Sequence, residues 1–240
     1  MLAGKQQLQH LHLANCTPPG DAAWVSQVMS HLQPLTQLAY LNLTRSLWDV
    51  DGDNPPAAAY CAITASSKLQ HLDITECLLP PGVWQHMFPM NRQLPHLQNL
   101  NLSCVEQADG GYAIAPEGNR LVSCCPGLQE LAITGLQGSV GQLGALQQLS
   151  GLHSLFLGVD DDIQTTKEVQ PVLKLSGLTF LFSNLAGSSN IYNSPHTGDG
   201  LLLQLTRLKQ LAHLIYTGPF NGYIQEVELK CQVGHALKTV

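Results

Sequence analysis

One short pattern recurs along the chain and constrains its fold more than any other feature. It runs leucine, two residues, leucine, one residue, an aliphatic residue, two residues and a variable residue that is cysteine in two copies, as in residues 69–77. Leu72, Asp73 and Ile74 alternate apolar, polar and apolar, which predicts a short strand with one buried face. A unit this small cannot bury its own leucines, so it needs an equivalent unit on each side.

The pattern occurs about eight times, with its first leucines about 24 to 33 residues apart. Copies one to six are well formed, whereas copies seven and eight have lost apolar character. The spacing therefore predicts a chain of stacked strands. The first leucines are Leu8, Leu38, Leu69, Leu97, Leu128, Leu152, Leu178 and Leu211.

The segments between the copies predict helices in some places and loops in others. Apolar residues recur at helical spacing in residues 24–32, 83–88, 140–149 and 201–211. Residues 48–67 and 105–123 contain Asp-Gly and proline, which predicts loops. The best candidate for a mobile loop is residues 186–195, and residues 223–231 alternate like a strand that pairs with the last edge. We expect a single domain, with a solenoid over residues 1–218 and a C-terminal flank or cap over 219–240.

Composition excludes several classes of function. Only 11 of the 240 residues are lysine or arginine and the net charge is −6, which argues against a nucleic-acid-binding surface. No apolar stretch approaches the roughly 18 residues that cross a membrane, and the N-terminal residues lack a signal-peptide core. We therefore expect a cytoplasmic protein. Its seven cysteines, an odd number without C-x-x-C, predict mostly buried free thiols.

Taken together, the repeats resemble those of leucine-rich-repeat proteins. The sequence Cys-Pro-Gly-Leu-Gln-Glu-Leu at residues 125–131 is similar to cysteine-containing repeats of F-box adaptors, and the longer spacings are similar to the ribonuclease-inhibitor type. The resemblance implies an α/β solenoid, or horseshoe, of about eight repeats. It places a parallel sheet on the concave face and helices or loops on the convex side. No F-box-like segment precedes Leu8, so an adaptor would need further residues upstream.

In such a fold the residues on either side of each central leucine point out of the sheet, and we call them the flanking positions. They are polar through copy four and become apolar from copy six, so a contiguous apolar patch is predicted that suits a protein partner. Alternatively, the tail after Pro219 covers this patch, or the phase slips in the degenerate copies. The predicted partner-binding residues are His10, His12, Tyr40, Asn42, His71, Asp73, Asn99, Asn101, Glu130, Phe156, Phe180, Phe182 and Ile215.

Other chemistries find little support in the sequence. His10 and His71 lie in copies separated by a third, too far apart to share a zinc ion. The acidic residues 49–54 lack the glycine and glutamate positions of a calcium loop and predict a solvated turn. Nucleophile-elbow, zinc-protease and phosphate-loop motifs are also missing. We expect no metal, no cofactor, no small-molecule substrate and no enzyme activity.

The leading hypothesis is a non-catalytic module that binds a protein partner on its concave face. The expected energetic anchors are Phe156, Phe180, Phe182 and Tyr40. A second hypothesis is the substrate-receptor part of an F-box ubiquitin-ligase adaptor. A third is a structural scaffold on the cytoskeleton or the ciliary axoneme.

Overall fold

The structure is a computed structural model that describes most of the chain in several stretches. These are residues 5–16, 23–47, 55–107, 116–136, 140–159, 172, 174–184, 208, 210–220 and 223–230.

A single nine-stranded sheet contains one strand from every predicted copy, and a two-stranded sheet lies beside it. The large sheet has the order β1-β2-β3-β5-β7-β8-β9-β10-β11 and the small one pairs β4 with β6. All pairings are parallel except that of β10 with β11. The strands are β1 (His10–His12), β2 (Tyr40–Asn42), β3 (His71–Asp73), β4 (Leu78–Leu79), β5 (Asn99–Leu102), β6 (Glu106–Gln107), β7 (Glu130–Leu136), β8 (Ser154–Val159), β9 (Phe180–Asn184), β10 (His213–Phe220) and β11 (Tyr223–Lys230).

The central leucines lie in one row across the parallel strands. Leu41 pairs with Leu72, Leu72 pairs with Leu100, and the row continues to Leu214 without a change of phase. The predicted phase is therefore kept in the two degenerate copies. The row is buried throughout, and each buried leucine contributes about 1.5–3 kcal/mol through removal of apolar area from water.

The same backbone bond precedes the strand in all eight copies. The N–H of the first leucine donates to the carbonyl three residues earlier, as in Leu8 to Lys5 and Leu211 to Leu208. The backbone carbonyl of the residue after the first leucine then accepts hydrogen bonds from two N–H groups of the next copy. For example, the Gln9 carbonyl accepts from the N–H groups of Ala39 and Tyr40. Because these bonds recur in degenerate copies too, they do not depend on the side chains that vary.

The chain leaves each of the first four strands of the large sheet through a left-handed residue. Asn15, Arg45, Glu76 and Cys104 have φ between 52° and 57°, a conformation that is uncommon outside glycine. The N–H groups of the first three donate to carbonyls of the next copy at 2.8–3.0 Å. These inter-copy bonds offset the cost of the left-handed conformation.

Short helices pack against the buried side of the sheet. The α-helices whose bounds lie within the described residues are α1 (Trp24–Leu32), α2 (Trp84–Met87) and α3 (Gly118–Cys124), and 3₁₀ helices cover Ala57–Thr64 and Val140–Gln148. Helix α1 forms because Val25, Val28, Met29 and Leu32 fall on one buried face. The predicted helix over 24–32 is thus confirmed, and the second shortens to the single turn of α2.

Three features differ from the expectation of loops between the copies. The 3₁₀ helix Ala57–Thr64 buries Tyr60 and Ile63, and the pair of β4 with β6 forms a second sheet. A loop was also expected over 105–123, where α3 begins at Gly118. The acidic segment 49–54 and the loop 186–195 lie outside the described residues, as does most of the helix expected over 201–211.

The expected tail strand is present and lengthens the large sheet. Strand β11 pairs antiparallel with β10 over their whole lengths, from His213 with Lys230 to Phe220 with Tyr223. The division into a solenoid and a C-terminal cap stays a prediction.

The cysteines are less buried than expected. Cys77, Cys124 and Cys125 are buried, whereas Cys16, Cys61 and Cys104 are exposed, and all six are free thiols. The prediction of mostly buried thiols is therefore wrong for half of them, because the exposed three occupy turns and a helix surface. Cys231 lies outside the described residues.

Candidate interaction face

The flanking positions of the eight parallel strands form one continuous surface, which we call the flanking face. Register places the predicted residues side by side: Tyr40 beside His71, and Asn99 beside Glu130. The structure thus brings all the predicted residues onto one face of one sheet. His10, His12 and Glu130 are exposed, Asn42 is buried, and the others are half-buried: Tyr40, His71, Asp73, Asn99, Asn101, Phe156, Phe180, Phe182 and Ile215.

Three rings stack at the first end of the face. The centroid of Tyr40 lies 5.9 Å from that of His10 and 4.5 Å from that of His71, and the latter pair is inclined by only 7°. Burial lowers the pKa of His71, and it outweighs the opposing attraction of Asp73 and Glu130. Burial therefore favours the neutral form of the His71 ring.

Three of the predicted binding residues also have a role within the fold. The Oδ1 atoms of Asn42, Asp73 and Asn101 each accept the backbone N–H two residues later, at 2.9, 2.9 and 3.1 Å. Such local bonds close the turn that follows each strand. In Asp73 the same oxygen also accepts the hydroxyl of Thr75 at 2.6 Å.

A shallow cavity lies where the face changes from polar to apolar. Its volume is about 160 Å³, and its walls include His71, Asn101, Glu130 and Phe156. Glu130 Oε2 accepts a hydrogen bond from Asn99 Nδ2 at 2.6 Å, which fixes the carboxylate at the rim. The cavity exists because the flanking position between Asn101 and Phe156 is held by Ala132, a small residue.

The predicted aromatic patch is present as two ring pairs. Phe156 and Phe182 stack face to face, with centroids 4.1 Å apart and planes within 2°. Phe180 meets the edge of His213 at 5.1 Å. Because Phe156 and Phe182 are half-buried against each other, the patch is a flat apolar wall rather than a set of free side chains. The tail through Lys230 runs beside β10 as a further strand.

Charge is also organised along the edge where the strands end. Arg45 and Glu76 form a bidentate ion pair, with Nε–Oε2 and Nη2–Oε1 distances of 2.6 and 2.8 Å. The hydrogen bond from Arg45 lowers the pKa of Glu76, and the same bond raises the pKa of Arg45. Both side chains are solvent-exposed, so the pair orders the edge more than it stabilises the fold.

The buried cysteines lack the features of reactive nucleophiles. Burial raises the pKa of Cys77 to about 11, and its thiol donates to the Leu43 carbonyl at 3.1 Å. Burial likewise raises the pKa of Cys125 and, to a smaller extent, of Cys124. A thiol with a raised pKa is scarcely ionised at pH 7 and attacks poorly.

Neither a metal-ligand cluster nor a helix able to cross a membrane occurs within the described residues. No cluster of three or more histidine, cysteine, aspartate or glutamate side chains within those stretches could hold a metal ion. Across the same stretches, no helix combines the length and the apolar character that a membrane crossing needs.

Two cavity residues at flanking positions, Ala132 and Ser154, are not among the predicted binding residues. Both occupy flanking positions, and both interrupt columns of larger side chains. The signal that could have revealed them was their small size: a gap in a column of side chains makes a depression.

Comparison with solved structures gives several matches, and the likeness of the one named next is weak. The chain is similar to the solved structure of an internalin (inlF) from Listeria monocytogenes str. 4b F2365. Identity is 18%, the TM-score is 0.39, and the match covers 77% of this chain and 55% of the internalin chain. No protein-family model matches the chain, and no curated protein matches it.

The fold is assigned from the strands, their register and the helices of the chain itself. Each copy of the pattern supplies one parallel strand, and the central leucines of neighbouring strands pair in register. Along the chain, short helices come between several of these strands. The fold is α/β and leucine-rich-repeat-like.

Proposed function

We propose that the chain is a non-catalytic protein-interaction module whose flanking face, the concave side of a horseshoe, binds a protein partner. One observation carries the proposal: register assembles side chains from eight strands into a continuous face that includes the Phe156–Phe182 wall. Scattered aromatic residues are ordinary on protein surfaces, whereas a row of them beside polar groups is typical of binding sites.

The residues expected to contribute most binding energy are Phe156, Phe180, Phe182 and Tyr40. Large aromatic side chains bury much area with little loss of conformational entropy, and they dominate the energetics of many interfaces. Asn42, Asp73 and Asn101 are expected to contribute less, because their Oδ1 atoms are already occupied by backbone N–H groups. The adaptor and scaffold hypotheses stay predictions from the sequence.

Affinity capture with a matched control tests the proposal. The bait is the wild type, the double variant Phe156→Ser/Phe182→Ser, or Met90→Ser, which removes an exposed apolar side chain away from the face. Proteins that bind the face should be retained by the wild type and by Met90→Ser, and lost from the double variant.

Folding of each bait must be measured separately, because Phe156 and Phe182 support each other. Circular dichroism and the melting temperature show whether the double variant keeps the sheet. Capture that survives in a folded double variant, or that is lost equally in Met90→Ser, would contradict binding at this face.

A further inference from the structure

We propose that the cavity beside Glu130 receives an arginine side chain of the protein partner, whose guanidinium continues the aromatic stack across Ala132. This inference rests on the proposed function, because it gives the chemistry of the partner at the same face. Three properties of the cavity support it: its size, its charge and the shape of its apolar wall.

Size excludes a drug-sized ligand and suits one long side chain. The cavity holds about 160 Å³, whereas small-molecule sites have about 300–1,000 Å³. It is open to solvent along the sheet, so a side chain can enter from a segment that lies across the strands.

The charge of the face favours a cation. The flanking positions of the eight parallel strands carry two carboxylates, Asp73 and Glu130, and neither lysine nor arginine. Within the described residues, the ion pairs are Arg45 with Glu76 and Arg120 with Glu117, so neither flanking carboxylate has a cationic partner there. Burial favours the neutral form of the His71 ring, which does not repel an arriving cation.

Glu130 is held ready for such a partner. Asn99 Nδ2 donates to Oε2 at 2.6 Å, and no donor in the described stretches bonds to Oε1. An arriving N–H group can therefore bond to a carboxylate whose rotamer is already fixed. Because the exposed side chain is ordered beforehand, less entropy is lost on binding.

The wall of the cavity favours a planar cation over a compact one. Phe182 covers one side of the Phe156 ring at 4.1 Å, and on the neighbouring strand the paired position is Ala132. The stack is therefore interrupted at Ala132, where only a methyl group stands. A guanidinium is flat, is weakly hydrated and stacks on aromatic rings, which an ammonium does less well.

Peptide selection on the full 240-residue chain tests the inference. Phage-displayed random peptides are selected on the wild type, and selected peptides are synthesised with a fluorescent label. We expect them to share an arginine near an apolar residue. Their Kd should rise about tenfold when Glu130 is changed to Gln, and at most twofold for Glu106→Gln, the same change at an exposed site off the face.

Substitutions in the peptide measure how much the guanidinium group contributes to binding. Replacing the shared arginine with citrulline should weaken binding to the wild type about tenfold and have little effect on binding to Glu130→Gln, because the charge pair is already lost. Replacing it with lysine should weaken binding at least threefold. Ala132→Phe, which fills the interrupted position, should also abolish the preference for arginine.

The outcomes separate this inference from the proposed function. Peptides that need Phe156 and Phe182 yet show no preference for arginine, or accept lysine equally, overturn the arginine site and leave the binding face standing. Failure to select any peptide, or binding that ignores substitutions at Glu130, Phe156 and Phe182, overturns both.

Discussion

At the scale of single residues, one side chain can belong to the fold and to the surface at once. Asp73 was predicted from its column to face a partner, and it does lie on the flanking face. Its Oδ1, however, accepts both the backbone N–H and the hydroxyl of Thr75. A column of polar residues is thus not evidence of binding until the bonds within the turn are known.

Replacing Asp73 measures this internal role. Asp73→Ala removes both Oδ1 bonds at the strand exit, together with the longer bond that Oδ2 accepts from Asn101 Nδ2 at 3.5 Å, and should lower the free energy of unfolding by about 1.5 kcal/mol. Asp73→Asn keeps an acceptor oxygen and should lose less than half as much. Urea unfolding followed by circular dichroism makes the comparison. Equal losses in the two variants would show that the negative charge, and not the turn, is what matters.

At the scale of elements, some parts of the structure were predictable and others were not. The strands and helix α1 follow from strict periodicities of leucine and of apolar residues, so their positions agree with the sequence. The 3₁₀ helix Ala57–Thr64 is apolar on all sides and has no helical period to detect. Strands β4 and β6 have two residues each, too few for any alternation.

The sequence predicts which residues share the flanking face, but it does not predict the hydrogen bonds that their side chains make. The periodicity identified which residues share the flanking face, because side chains alternate along a strand. It did not show that Asn42 and its equivalents bond to their own turns, or that Glu130 is held by Asn99. The first contacts depend on the side-chain rotamer, and the second depends on an atom of the neighbouring copy, 31 residues away.

The sequence also does not show which glycines of the pre-strand turns are required for space. Gly127, Gly151 and Gly177 all stand just before the first leucine of a copy. A Cβ at Gly127 would lie 2.6 Å from the carbonyl oxygen of Pro95, whereas at Gly151 the nearest atom would be 3.5 Å away. Only at Gly127 would a side chain collide with a neighbouring atom. The residues around each glycine do not reveal this difference, because the neighbouring atom at Gly127 belongs to Pro95.

Alanine substitutions at these two glycines provide a matched pair. Gly127→Ala should lower the free energy of unfolding by about 1–3 kcal/mol, because a rigid carbonyl must move. Gly151→Ala should change it by no more than about 0.5 kcal/mol. Thermal and urea unfolding measure both. Similar losses would mean that backbone freedom, and not the contact with Pro95, governs this position.

At the scale of the whole molecule, stability comes from contacts between neighbouring copies. Each central leucine packs against those of the strands beside it, so the position of a copy in the sheet matters as much as its sequence. Leu100 lies between Leu72 and Leu131, and 2% of its surface is exposed. Leu11 has β2 as its strand neighbour among the described residues, and 8% of its surface is exposed.

Truncation of these two leucines should have unequal effects. Leu100→Ala should lower the free energy of unfolding by about 2–5 kcal/mol, through lost burial and a cavity that two neighbours share. Leu11→Ala should cost less, because the edge can relax. Native-state hydrogen exchange should show faster exchange across β3, β5 and β7 in the first variant, and in β1 and β2 alone in the second. Equal losses of unfolding free energy in the two variants would contradict the view that stability is a sum of contacts between neighbouring copies.

The bonds of the strand-exit turns also affect which parts of the face can be altered by design or by selection. In β2, β3 and β5, one of the two flanking residues closes its own turn, so a change there also changes the turn. In β7, β8 and β9 the equivalent residues are Ala132, Phe156 and Phe182, whose apolar side chains bond to no backbone group. Substitutions at these three positions therefore leave the strand-exit turns intact, and at Ala132 they also leave the contact between Phe156 and Phe182 in place.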